Sequence, residues 1–253
     1  MRPDRRLAAR VRFSRAAPVL LAAALTLTGA LPGGTLVGAL DQAHDRALGG
    51  ERDTAQDLLF DNGYLKAMTP PASLVYGFEH STSDEATFGK AFTDSVRLNL
   101  GEPTGDHKLN DVRLDIFPET RNRQIGPFFD ISGNPVIMVF LERDMHDTLR
   151  RVRASPVLFR NTVRKAMRDA AVIDDVDIHL DGETVRAKRV TIVPFAGEAV
   201  PPQLAELGGK RYQFTVSDAV PGGFYEIVST LQDPQDGDRV LVSDRMTYKA
   251  MGQ

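Results

Sequence analysis

Residues 73–117 alternate apolar and polar side chains with a period of two, and then do so again after residue 175. In "SLVYGFEHS" (73–81) Leu74, Tyr76 and Phe78 oppose Val75, Gly77 and Glu79. In "DSVRLNL" (94–100) Val96, Leu98 and Leu100 oppose Ser95, Arg97 and Asn99. "NDVRLDIF" (110–117) sets Val112, Leu114 and Ile116 against Asp111, Arg113 and Asp115. Such segments are strands of an antiparallel sheet buried on one face. The turn-rich "GEPTGDHK" makes the second and third neighbours in a hairpin. "VDIHLDG" and "ETVRAKRVTIVPF" meet at Asp181–Gly182, a hairpin dipeptide. "KRYQFTVSD", "FYEIVSTL" and "RVLVSDRMTYKAM" supply further strands, separated by "VPGG" and "QDPQDGD". "RQIGPFFDI" (123–131) and "NPVIMVFLE" (134–142) are expected to pair across "SGN".

One segment is helical by spacing. Ser155 and Pro156 fit the N-cap and first position of a helix. Phe159, Val163, Ala166, Met167 and Ala170 then form one apolar stripe, which predicts a helix over 155–171. About ten strands against one strong helix poses a covering problem. A helix of ~17 residues is only about 25 Å long. The expected fold is therefore α+β: a curved antiparallel sheet, a half-open barrel of about ten strands, wrapped around one main helix. The predicted organisation is a signal peptide at 1–39, a polar segment with a short helix at 40–70, and a single sheet domain at 71–253.

The leader is read from three parts. "MRPDRRLAARVRFSR" carries six arginines, a run of 16 residues beginning "AAPVLLAAAL" follows, and Val37 and Ala39 fit the −3 and −1 positions of a cleavage site. The apolar run is short for a span of ~20 residues. Cleavage near Ala39 would release a free protein into the periplasm, with no later transmembrane segment. It would also lower Lys plus Arg from 31 to 25 and Asp plus Glu from 34 to 33, leaving −8. An acidic surface opposes nucleic-acid binding. The absence of cysteine excludes disulfides, thiolate metal sites and a cysteine nucleophile.

The leader, the "LVYGFEH" strand and the helix "SPVLFRNTVRKAMRDA" set among strands resemble the LolA/LolB-type lipoprotein-carrier superfamily. The resemblance covers roughly residues 55–250 as architecture. It implies an exported protein whose curved sheet encloses an apolar cavity. A hydrophobic small molecule or lipid is then the expected ligand.

Candidate ligand-lining residues are Val136, Met138, Phe140, Phe159, Val163, Met167, Phe195 and Phe214. Arg160, Arg164 and Arg168 recur at i+4 on another face of the helix and are candidates for an anion or a partner. Surface pairing with Asp169, Asp174 and Asp175 is the favoured account of them, since charge runs usually face water. Glu142, Asp144 and His146 share a face if "NPVIMVFLE" is a strand, where they could ligate a metal. Met145, Leu149 and Val152 suit a short helix as well, on which Asp144 points away from the other two. The six-residue apolar run before them favours a central strand buried on both faces. No catalytic residue, metal or cofactor is expected. The function expected first is binding of a lipid, acyl chain or other hydrophobe in an apolar groove. The alternatives are a structural or interaction module of the cell envelope with a protein partner there, and a metal-dependent hydrolase.

Overall fold

Period-two alternation becomes a nine-stranded antiparallel sheet in the computed structural model, which describes residues 54–102, 111–131, 133–197 and 200–252. The strands are β1 (Ala72–Thr82), β2 (Phe92–Gly101), β3 (Asp111–Ile116), β4 (Arg123–Phe128), β5 (Val172–Leu180), β6 (Glu183–Ile192), β7 (Lys210–Val216), β8 (Phe224–Gln232) and β9 (Val240–Gly252). Their spatial order is β4-β3-β2-β1-β9-β8-β7-β6-β5, so the sheet is open, with β4 and β5 at its edges. The expected leader lies outside the described residues. Among the described residues no helix is long and apolar enough to cross a membrane.

Register puts the apolar halves of the strands on one face. Leu74 pairs Leu98, Tyr76 pairs Val96 and Tyr248, and Phe78 pairs Met246. Leu98 and Leu100 in turn pair Leu114 and Val112. β5 and β6 turn at Asp181 (φ 51°) and Gly182 (φ 87°), the left-handed pair that a two-residue hairpin needs. The "VPGG" turn places Gly223 at φ 81° hard against the Tyr64 ring, where a Cβ has no room.

The sequence expectation fails at 134–142. That stretch is not a strand: it opens helix α2 (Val136–Leu149), after a four-residue helix α1 (Glu85–Phe88) and before α3 (Pro156–Asp169). Among the described residues there are therefore nine strands rather than about ten, and two helices of 14 residues each rather than one main helix. Asn134 starts α2. Its side-chain oxygen accepts from the Val136 N–H at 3.1 Å, while its amide donates to the Tyr76 hydroxyl at 2.9 Å and the Gly222 carbonyl at 2.8 Å. Val136, Ile137, Phe140 and Met145 are buried, and Val139 and Leu141 are partly buried against the core. Core burial of most of the run, with Met138 left exposed at 58%, accounts for the apolar stretch without a strand.

α3 starts as its sequence requires, with Ser155 Oγ accepting from the Leu158 N–H at 3.1 Å and Pro156 in the first turn. The two helices carry the chain from edge strand β4 to the opposite edge strand β5. Tyr76, Phe78, Phe140, Phe195, Phe214 and Phe224 fill the core that they share with the sheet.

Candidate functional site

α2 and α3 present apolar side chains to each other along a groove of about 430 Å³. From α2 come Met138, Leu141 and Met145, and from α3 come Phe159, Val163 and Met167. Phe60, on the π-helical turn Asp57–Asp61, also lines it. Met138 is 58% exposed, far more than a core methionine, while Phe159, Val163 and Met167 are buried at the groove's base.

Arg160, Arg164 and Arg168 line the same groove, because the i+4 arginine row adjoins the apolar stripe on α3. Arg160 is engaged: its Nε and Nη2 each donate to a Glu142 carboxylate oxygen at 2.7 Å, a two-pronged bond joining α3 to α2. That bond holds the Glu142 carboxyl below its usual range, with burial opposing and the charges of Arg160, His146 and Arg164 assisting. Arg168 pairs with Asp169 at 2.8 Å. Arg164 has no hydrogen-bond or ion-pair partner among the described residues.

The sequence-derived candidates thus divide. Met138, Phe159, Val163 and Met167 come together with the three arginines in one groove. Val136, Phe140, Phe195 and Phe214 lie in the packed core instead, with the Phe195 ring 4.9 Å from that of Phe159. Glu142, Asp144 and His146 do not converge. Glu142 and His146 share a face of α2, with Nε2 of His146 3.8 Å from a Glu142 oxygen, and Asp144 turns inward. Among the described residues no trio of metal-ligating side chains converges.

Asp144 anchors a buried polar cluster that period and spacing do not reveal. Its Oδ1 accepts from Lys210 Nζ at 2.6 Å and Ser229 Oγ at 2.8 Å, and its Oδ2 accepts from the Tyr212 hydroxyl at 2.6 Å. Lys210 Nζ also reaches Thr148 Oγ1 at 3.4 Å. Burial, and then the charge of Asp144, push the Tyr212 hydroxyl well above its ordinary pKa. Beside this cluster, Arg143 Nη1 donates to Asp244 Oδ2 at 2.6 Å, and His80 Nδ1 donates to Asp244 Oδ1 at 2.6 Å. Burial raises the Asp244 carboxyl, but the His80 bond and the Arg143 charge outweigh it and hold the group below the usual range. Arg143 also lies 4.6 Å from the Phe78 ring centre, a cation over a ring face. Ser229 spends its proton on a carboxylate, and the His80 ring stacks on Phe92 at 5.4 Å. The two clusters fasten α2 to β1, β7, β8 and β9.

No protein-family model matches the chain, and no curated protein matches it. Among solved structures the chain is similar to the Mycobacterium tuberculosis lipoprotein LppX, at 8% identity over 76% of this chain and 93% of that one, with a TM-score of 0.30. It is also similar to a LolA superfamily protein from Nitrosomonas europaea, at 10% identity over 78% and 92%, with a TM-score of 0.21. The second carries the name of the superfamily that the sequence organisation resembles. At these TM-scores the likenesses carry no inference about ligand or activity.

Proposed function

We propose that this protein holds the hydrocarbon chain of an anionic amphiphile, a fatty acid or acyl lipid, between α2 and α3, and that it is not an enzyme. The observation that carries this reading is the sharing of one groove by Met138, Met145, Phe159, Val163 and Met167 with Arg160, Arg164 and Arg168. Burying apolar area is worth about 25 cal/mol per Å². Unbranched methionines adapt to a flexible chain. A guanidinium on the rim suits a carboxylate or phosphate. A sheet curled around the helix pair, an export leader at 1–39 and a periplasmic address belong to the same reading.

The test is native mass spectrometry and lipid extraction of the exported protein, followed by titration with a fluorescent fatty acid. Wild-type protein is expected to carry or take up one acyl chain. Met138→Glu, at an exposed position, is expected to weaken binding by about tenfold through a charge on the groove wall. Arg164→Gln is expected to weaken binding of the acid but not of the corresponding alcohol. Wild-type protein that carries no amphiphile and shows no saturable uptake overturns the reading.

A filled interior favours a second reading. With Tyr76, Phe140, Phe195, Phe214 and Phe224 all nearly inaccessible, the domain is complete without a ligand, as an interaction module of the envelope would be. Its arginine face then recruits a protein partner. Loss of a partner from pull-downs with Arg160→Glu and Arg164→Glu, in protein that binds no acyl chain, supports it; unchanged partners remove it.

A further inference from the structure

A second cavity, of about 370 Å³, shares no lining residue with the groove. It lies where α1 and the C-terminal half of α2 meet β1, β2, β7, β8 and β9. Its size falls within the ~300–1,000 Å³ of small-molecule sites. Three carboxylates stand in its wall, and each has both oxygens engaged by the protein itself. Asp144 is held by Lys210, Ser229 and Tyr212, and Asp244 by His80 and Arg143. Asp147 is held by Arg143 and Arg150. With those pairings made, Lys90, Arg121 and Arg151 line the cavity with no ion-pair partner among the described residues. The imbalance reaches into the wall: Arg143 Nε is buried and has no acceptor among the described residues.

The two arginines among these cations are positioned. The Arg151 guanidinium lies 4.7 Å from the Phe88 ring centre, and that of Arg121 lies 5.9 Å from Phe92. Stacking of this kind orients the planar fork and leaves its N–H edge for an oxyanion. The loop bearing Arg121 is clamped by buried Asp94, which accepts from the Ser95, Glu119 and Thr120 N–H groups and from the Thr120 hydroxyl at 2.6 Å. It leaves β3 through Phe117, a buried aromatic held at φ 52°. A backbone held there is costly, and such positions concentrate at ligand sites.

We propose that this cavity is a second binding site, for a phosphate monoester, gripped by Arg121, Arg151 and Lys90 with its carbon skeleton against Phe88 and Phe92. A dianion answers the three cations that lack an ion-pair partner among the described residues, while a cationic ligand meets carboxylates that are already occupied. The proposal is independent of the groove.

Titration calorimetry of the full chain with glycerol 3-phosphate tests it, alongside cosedimentation with phosphatidic acid or phosphatidylcholine vesicles. Saturable 1:1 binding is expected. Arg121→Gln with Arg151→Gln should lower affinity by at least about tenfold, the weight of lost charge-assisted bonds. Both positions are exposed, and circular dichroism checks the fold of the double variant. Arg164→Gln, which faces the groove, should leave this affinity unchanged while weakening fatty-acid uptake. Binding to phosphatidic acid vesicles only, lost in the double variant, assigns the phosphate monoester to a lipid headgroup and supports the site. No saturable binding in either arm, or equal binding by the folded double variant, overturns it.

Discussion

At the scale of single residues, charges inside the core decide most. Lys210 and Asp144 are each 3% exposed and meet at 2.6 Å, so neither tolerates loss of the other. Lys210→Met is expected to destabilise the protein by about 3–5 kcal/mol, because it leaves Asp144 charged and buried with only hydroxyl donors. Adding Asp144→Leu should recover part of that loss and no more, since the Tyr212 and Ser229 hydroxyls then lose their acceptor. Urea unfolding of the two variants measures both steps. Asp244 gives a pH dependence. Its folded-state pKa lies below the unfolded value of about 3.9, so its stabilisation is complete above about pH 4 and is lost as pH falls through the folded value. Asp244→Asn should therefore be less stable than wild type at pH 7, with the gap narrowing below about pH 4 in thermal melts. A gap that widens on acidification contradicts this assignment.

At the scale of elements, alternation was legible and burial on several sides was not. Along β1, β2 and β3, Leu74, Tyr76, Val96, Leu98, Val112 and Leu114 alternate as the sequence shows and are buried as alternation requires. "VIMVFL" misleads because a short continuous apolar run does not tell helix from strand, and here Met138 faces the groove while Val136, Ile137 and Phe140 face the core. The helical stripe exists, at 136, 137, 140, 144, 145 and 148, but two of its inward members are Asp144 and Thr148. Their partners lie 62 to 85 residues away on β7 and β8, beyond any local pattern. The groove was half legible for the same reason: the α3 stripe names its own lining, and the facing Leu141 and Met145 required α2 to be known. Ser155 was legible in full, since capping chemistry is local. Ser155→Ala should cost about 1 kcal/mol and lower the melting temperature without altering the α2 clusters. The edges are also written locally. β5 carries Asp174, Asp175 and Asp177, and β4 carries Pro127, which has no N–H to offer, so neither edge invites another strand.

At the scale of the whole molecule, the sheet is two meanders joined at their middle. β1 to β4 run outward in one direction, β5 to β9 return from the other edge, and β1 meets β9 at the centre. That seam runs from Ser73 opposite Gly252 to Thr82 opposite Val242, and His80 and Asp244, 164 residues apart, lock it. A chain ending at residue 239 lacks β9 and should lose cooperative unfolding altogether, as followed by circular dichroism in urea. A sharp transition retained by that truncation would mean that the two halves stand alone. Proteins are made from the N-terminus, so β1 is synthesised long before the 13-residue strand that completes it. Until then one flank of β1 lacks its neighbour, and pairings so distant in sequence form slowly. A nascent molecule of this design stays unfinished and adhesive until β9 emerges, which makes it a natural client for chaperones.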